Sequence, residues 1–71
     1  MDRRTLERDL MEFTGGKRLM STLQVAEYVG TNWSGAAKLM RSGGAQEIYV
    51  GKRARYHVHD VAAILTGGKP N

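Results

Sequence analysis

The residues with the clearest chemical potential are the cations Lys52, Arg53 and Arg55, in the stretch "IYVGKRARYHVHD" that begins at Ile48. Ammonium and guanidinium groups at this spacing can neutralise the phosphates of a polyanion, but charged residues also protect exposed sheet edges from pairing. Apolar and polar residues alternate on both sides of the cations, which is typical of two short strands around a tight turn. The stretch therefore predicts a basic hairpin, whose use depends on the elements around it.

Other arrangements that could support chemistry are incomplete. His57 and His59 share one face if both lie on a strand, but two ligands do not complete a zinc shell, and the sequence has no cysteine. The stretch "GGAQEIYVGKR" has six residues between Gly44 and Gly51, where a phosphate-binding loop has four. We therefore expect no enzymatic activity, no cofactor, no bound metal and no small-molecule ligand.

Length and hydropathy favour one small soluble domain. A chain of 71 residues has a thin core. Its longest apolar run is far below the roughly 20 residues that span a bilayer, and the opening "MDRRTLERDL" lacks the apolar stretch of a signal peptide. We expect a cytoplasmic protein without a membrane partner.

The net charge of +4 is unevenly distributed along the chain. Residues 1–16 carry three basic and four acidic side chains, whereas residues 17–71 carry eight basic and three acidic ones. The excess positive charge of the second part attracts nucleic acid or another anionic partner, and charge alone does not choose between them.

Apolar residues at helical spacing predict a short amphipathic helix over residues 3–13. Its apolar stripe consists of Leu6, Leu10 and Phe13. Gly15 and Gly16 end this helix and provide a flexible joint. The predicted divisions are 1–16 for the helix and joint, 17–66 for the main domain and 67–71 for a flexible tail. The apolar stripe either packs on the main core or contacts a partner.

Two further helices are predicted after the joint. Ser21 and Gln24 have the spacing of a capping box, so the second helix begins there, and Gly30 ends it. Its predicted buried residues are Leu23, Val25, Ala26 and Val29. Thr31 or Asn32 then caps a third helix that runs to about Arg41. The predicted faces of that helix are Ala36, Leu39 and Met40 on one side and Lys38 and Arg41 on another.

Two short helices joined by a glycine-containing turn are typical of a helix-turn-helix, although a simple helical hairpin has the same caps and turn. The basic hairpin follows them, with Ile48, Val50, Tyr56 and Val58 predicted on its inner face and Tyr49 facing out. Asp60 is predicted to cap a closing helix whose inward residues are Val61, Ile64 and Leu65. A hairpin after a helix-turn-helix predicts an α+β fold, the winged helix-turn-helix with a two-stranded antiparallel wing.

The order of these pieces resembles the excisionase family of small winged helix-turn-helix DNA-binding proteins, related in fold to the DNA-binding domain of MerR-type regulators. The chain shows "STLQVAEYVG", "AAKLMRSGG", "IYVGKRARY" and "DVAAIL" in that order without insertion. Similar segments in the family are a threonine-led "AAEYLG" helix, a recognition helix ending in "RSG", a strand ending in "VG", a basic turn and a closing "DLEAFL" helix. The resemblance covers about two thirds of the chain.

This resemblance implies a protein that binds double-stranded DNA, with the third helix in the major groove and the wing at the minor groove. The DNA-binding residues that it implies are Asn32, Trp33, Ser34, Ala37, Lys38 and Arg41 in the recognition helix and Lys52, Arg53 and Arg55 in the wing. Family members include recombination directionality factors of phages and mobile elements, which bind adjacent sites, bend DNA and assist an integrase in excision. The implied partners are thus DNA, an integrase and further copies of the chain, in the cytoplasm or nucleoid of a bacterial or phage-infected cell.

Two alternatives remain open at this point. A small phage or bacterial transcription regulator would use the same fold, whereas a protein-interaction module would present its basic face to an acidic partner. The recognition helix departs from the family, because Gly35, Ala36 and Ala37 stand where relatives commonly have Thr-Val-Tyr. This departure favours phosphate contacts and DNA shape over direct base reading. Trp33 lies either against DNA or in the core.

Overall fold

Four helices and a three-stranded antiparallel sheet make up the α+β fold of residues 2–67, the part of the chain that this computed structural model describes. The elements are α1 (Arg3–Phe13), β1 (Leu19–Ser21), α2 (Thr22–Val29), α3 (Trp33–Gly43), β2 (Ile48–Val50), β3 (Arg53–His57) and α4 (Val58–Leu65). The tail predicted over residues 67–71 lies, apart from Gly67, outside the described residues. None of the described helices is long and apolar enough to cross a membrane.

The predicted limits of α2 are confirmed by the hydrogen bonds at its ends. Ser21 Oγ accepts a hydrogen bond from the Gln24 N–H (3.1 Å), and Gln24 Oε1 accepts one from the Ser21 N–H (3.0 Å), which completes the capping box. Gly30 ends the helix in the left-handed region (φ 88°), where a residue without Cβ is favoured. Because Ser21 is also the last residue of β1, the strand leads directly into the helix.

Helix α3 begins after a turn of three residues, and Asn32 rather than Thr31 caps it. Asn32 Oδ1 accepts a hydrogen bond from the Gly35 N–H (2.8 Å). The helix continues to Gly43, two residues beyond the predicted end, and stops where Gly44 adopts a left-handed conformation. A Cβ on Gly43 would lie within 3.0 Å of three carbons of Ile64, so α3 and α4 approach closely here.

The sheet has the strand order β1-β3-β2 and therefore one strand more than the sequence predicted. Strand β1 was missed because it is only three residues long and merges with the capping box. It pairs with β3 through Leu19–His57, Met20–Tyr56 and Ser21–Arg55. As a result, the basic hairpin is held on both sides of its second strand rather than standing free.

The hairpin register shows that the predicted inner face was wrong for Ile48 and Val50, whereas Tyr56 and Val58 are buried as predicted. It pairs Ile48 with Arg55, Tyr49 with Ala54 and Val50 with Arg53. Directly opposed residues share a face of the sheet, so Tyr49 lies on the face of Ala54 and Tyr56. Ile48 and Val50 lie on the other face, and Val50 is 55% exposed. Because the turn has an even number of residues, each even-numbered residue of β2 pairs across the hairpin with an odd-numbered residue of β3.

Helix α1 packs on the core, mainly against α4, which answers the question left open by its apolar stripe. Leu6 and Leu10 are buried, whereas Phe13 is 42% exposed. The core that they join contains Met20, Val25, Ala26, Ala36, Met40, Tyr56, Val58, Val61 and Ala62. The N-terminal helix therefore shares one hydrophobic core with the segment that follows the glycine joint.

Polar and aromatic contacts also connect α1 to α2. The Tyr28 hydroxyl donates a hydrogen bond to the Asp9 carboxylate, and the Phe13 ring meets the Tyr28 ring edge-on with centroids 5.2 Å apart. Burial, and then the bond to Asp9, raise the pKa of Tyr28 to about 12. The phenol therefore stays protonated and can donate throughout the neutral range.

The predicted buried face of α2 was only partly correct. Val25 and Ala26 are buried, but Leu23 is 57% and Val29 40% exposed. Thr22 takes a place in the buried face, because residues three and four apart share one side of a helix. Leu23 follows Thr22 by one position and therefore points about 100° away from that side.

The start of α4 differs from the prediction, since His57 and not Asp60 is its N-cap. His57 Nδ1 accepts a hydrogen bond from the His59 N–H (3.0 Å). Asp60 lies in the first turn, nearly buried, where it accepts a hydrogen bond from the Gln46 N–H (3.2 Å). Val58 belongs to this helix rather than to the strand. Val61 is buried as predicted, and Ile64 and Leu65 are half-buried against the core.

Two leucine substitutions test this packing. We expect Leu10→Ala to lower the free energy of unfolding by about 2–5 kcal/mol, because it removes a fully buried side chain and leaves a cavity. Leu23→Ala, at an exposed helical position, should change it by less than about 0.5 kcal/mol. Urea unfolding followed by circular dichroism measures both values. Equal losses in the two variants would contradict the assignment of Leu10 to the core.

Candidate functional site

A cleft of about 500 Å³ opens between α3, the β2–β3 hairpin and the start of α2. It is called the basic cleft below, and its lining residues are Ser21, Thr22, Leu23, Trp33, Ala37, Arg41, Glu47, Tyr49, Lys52, Arg53, Ala54, Arg55 and Tyr56. Four of these are basic and one is acidic. The cleft thus gathers six of the nine residues predicted to bind DNA.

Helix α3 supplies one wall of the cleft through a single stripe of residues. Trp33, Ala37 and Arg41 are spaced four apart and so lie on the same helical face. Ala37 is nearly buried and offers only a methyl group, whereas Trp33 is 56% exposed. Trp33 therefore does not belong to the core, which settles the alternative that the sequence left open.

The remaining predicted residues of α3 lie outside the lining of the cleft. Ser34 and Lys38 are exposed and form a neighbouring stripe, one residue further round the helix. The side chain of Asn32 is engaged at the helix cap. The six predicted residues of this helix thus divide into a cleft stripe, an outer stripe and a structural cap.

The hairpin supplies the opposite wall. Lys52 lies in the turn between β2 and β3, and Arg53 begins β3; both are exposed. Arg55 is half-buried, because it belongs to the central strand and has a partner on each side, Ser21 and Ile48. All three cations contribute to the lining of the cleft, although the register places Arg53 and Arg55 on the face of the sheet opposite to Tyr49 and Tyr56.

Tyr49 is influenced by one negative and one positive side chain of the cleft, those of Glu47 and Arg41. Its hydroxyl donates a hydrogen bond to Glu47 Oε2 (3.0 Å), and this bond to an anion raises the pKa of Tyr49 above its ordinary value. The positive charge of Arg41 acts on the same phenol in the opposite direction.

Seven residues of the cleft were not predicted as site residues, and three of them add chemical groups to it. Tyr49 was predicted to face out, Leu23 was assigned to the core, and Glu47 was given no role. Tyr49 and Leu23 are 64% and 57% exposed and, with Trp33, give the cleft an apolar part. For Tyr49, the even number of residues in the hairpin turn was a signal available in the sequence. Leu23 and Glu47 enter the cleft because segments distant in sequence meet there, and no local pattern predicts this.

The two histidines do not form the pair that their spacing suggested, because His57 ends β3 and His59 lies in α4. His59 Nδ1 is 2.8 Å from Glu7 Oε1, and His57 Nδ1 faces the His59 N–H. Within residues 2–67, no three histidine, cysteine or carboxylate side chains are grouped so that they could hold a metal ion. Both histidines thus join elements of the fold.

Comparison of the chain with protein-family models, curated proteins and solved structures gave no match. Function is therefore inferred from the residues of the basic cleft.

Proposed function

We propose that this protein is a winged helix-turn-helix that binds double-stranded DNA, with α2 and α3 as the helix-turn-helix and β2–β3 as the wing. The proposal is supported by the ordered segments shared with the excisionase family and by an arrangement of four helices and three strands compatible with this fold. The observation that carries it is the position of Arg41, Lys52, Arg53 and Arg55 around one cleft.

Four cations and one carboxylate around a cleft create a local excess of positive charge that attracts phosphates. Arg53 and Lys52 are exposed in and beside the turn, where they can follow a sugar-phosphate backbone or enter a narrow minor groove. Lys38 on the outer stripe of α3 adds a fifth cation on the same helix as Arg41. The arrangement suits a protein whose affinity depends mainly on the DNA backbone.

Acidic side chains of α1 are engaged elsewhere in the molecule. Glu7 pairs with His59 and Asp9 accepts from Tyr28, and no residue of α1 lines the cleft within the described part of the chain. Helix α1 carries three arginines and three carboxylates, so the excess of cations in the cleft is what favours one orientation of the protein towards a polyanion.

The recognition helix offers few groups for reading bases. Ala36 and Ala37 are buried, and Gly35 has no side chain, so the exposed polar groups near the middle of α3 are those of Ser34 and Lys38. We therefore propose an architectural role similar to that of excisionases, with DNA shape and phosphate contacts supplying much of the site preference. In this role an integrase and further copies of the chain would be its partners.

Salt dependence of binding tests the backbone mechanism. If four or five cations neutralise phosphates, the logarithm of the association constant should fall with the logarithm of salt concentration at a slope of about −4. Arg53→Ala should weaken binding and reduce the slope by about 1. Fluorescence anisotropy with a labelled 20-base-pair duplex at several salt concentrations measures both quantities.

Arg8→Ala is the matched control, since Arg8 is an exposed arginine on α1, away from the cleft. It removes the same charge and should leave the slope unchanged. Equal effects of the two substitutions would show that net charge rather than the cleft governs binding. A flat salt dependence, or binding to an acidic protein but not to DNA, would favour the interaction-module alternative.

Footprinting on DNA around the gene separates the architectural role from transcription regulation. An excision factor should protect several adjacent short sites and bend the fragment, which gel mobility of circularly permuted fragments detects. A single protected site that overlaps a promoter, without bending, would support a regulator instead.

A further inference from the structure

We propose that the basic cleft binds an unpaired segment of a DNA strand, with one base stacked on Trp33 and the flanking phosphates near Arg41 and Lys52. The inference rests on the proposed function in one respect, the assignment of this cleft to DNA. It adds the form of the ligand, a strand whose bases are accessible outside a duplex.

Some of the large apolar side chains of the chain lie exposed in the cleft rather than buried in the core. The core consists of aliphatic residues and methionines with one aromatic residue, Tyr56. Trp33, the only tryptophan of the chain, instead lies more than half exposed in the cleft, close to two further exposed apolar residues, Leu23 and Tyr49. Large apolar residues gathered in one exposed place, in a chain with so thin a core, indicate a binding surface.

The rings of Trp33 and Tyr49 are not stacked on other aromatic rings of the described residues. Ring contacts within residues 2–67 join Phe13 to Tyr28 and His57 to His59, so no other aromatic ring stacks on Trp33 or Tyr49. Trp33 is the first residue of α3, next to the capped turn, which fixes its backbone. Tyr49 is oriented by its bond to Glu47, and its cross-strand neighbour is the small Ala54. The backbone of Trp33 and the ring of Tyr49 are therefore constrained, and both side chains are more than half exposed.

The cleft combines these two rings with positive charge and with a volume that can hold a small ligand. Proteins that bind single strands place aromatic stacking surfaces inside a positively charged groove, since each base has a π-face and each phosphate a negative charge. The volume of about 500 Å³ is within the usual range for small-ligand sites, roughly 300–1,000 Å³. An unpaired DNA strand fits the cleft because each of its nucleotides supplies both a base for stacking and a phosphate for the cations.

The test compares two fluorescein-labelled decamers with equal numbers of phosphates, oligo(dT) and an abasic decamer of the same backbone. We expect oligo(dT) to bind at least fivefold more tightly and to quench the fluorescence of Trp33. Trp33→Ala should lower the affinity for oligo(dT) by roughly 5- to 100-fold, the range typical of one stacked base, and leave abasic binding unchanged. Trp33→Phe, which keeps a ring, should retain most of the preference. Circular dichroism confirms that both variants are folded.

Equal binding of the two decamers would overturn the inference, as would a preference for oligo(dT) that survives Trp33→Ala. A labelled duplex measured at the same salt concentration separates the inference from the proposed function. Duplex binding without a base-dependent single-strand preference contradicts the inference alone. A base-dependent preference without duplex binding supports the inference and contradicts the duplex-binding proposal. Failure to bind any of the three DNAs contradicts both.

Discussion

The pairing of β3 on both of its edges is the constraint on which the rest of the structure depends. Through Met20–Tyr56 this strand buries Tyr56 in the core, and through Tyr49–Ala54 it extends the same face into the basic cleft. Its last residue, His57, then caps α4, the helix that receives α1. A single short strand thus connects the hairpin, the cleft and the N-terminal helix.

This arrangement also explains how so small a core leaves several large side chains exposed in the cleft. Residues that fill space between the helices are mostly alanine, valine, leucine and methionine, and close approaches such as Gly43 to Ile64 bring the helices together. Tyr56 is buried in the core and also lines the cleft, whereas Trp33 and Tyr49 line the cleft and are more than half exposed. The exposed cleft residues can therefore be substituted without leaving a large cavity.

Local features of the fold could be predicted from the sequence, and non-local ones could not. The Ser21–Gln24 capping box and the turn at Gly30 were correct, because each depends on hydrogen bonds or backbone conformation within a few residues. Strand β1 was missed because it depends on pairing with the distant strand β3. The error at Ile48 and Val50 was of another kind, because the even length of the hairpin turn that sets their face could be read from the sequence. The cap of α4 was placed at Asp60, since a histidine at the strand end carried no signal of its role there.

The candidate site shows the same division. The charged turn and Arg41 could be identified from residue type and order, but their convergence on one cleft depends on the hairpin register and on the packing of α3. Tyr49 and Leu23 enter the site only because of that geometry. Trp33 was predicted from the sequence as a DNA-binding residue, but the sequence alone did not decide whether its side chain lay against DNA or in the core.

The central claim, that the basic cleft is the DNA-binding surface, is tested most directly by NMR during titration with a short duplex. The claim predicts that the indole N–H of Trp33 and the backbone amides of Arg41, Tyr49 and Arg53 shift or broaden first, while the amides of α1 remain unchanged. Shifts concentrated on α1, or none in the cleft at saturating DNA, would contradict it.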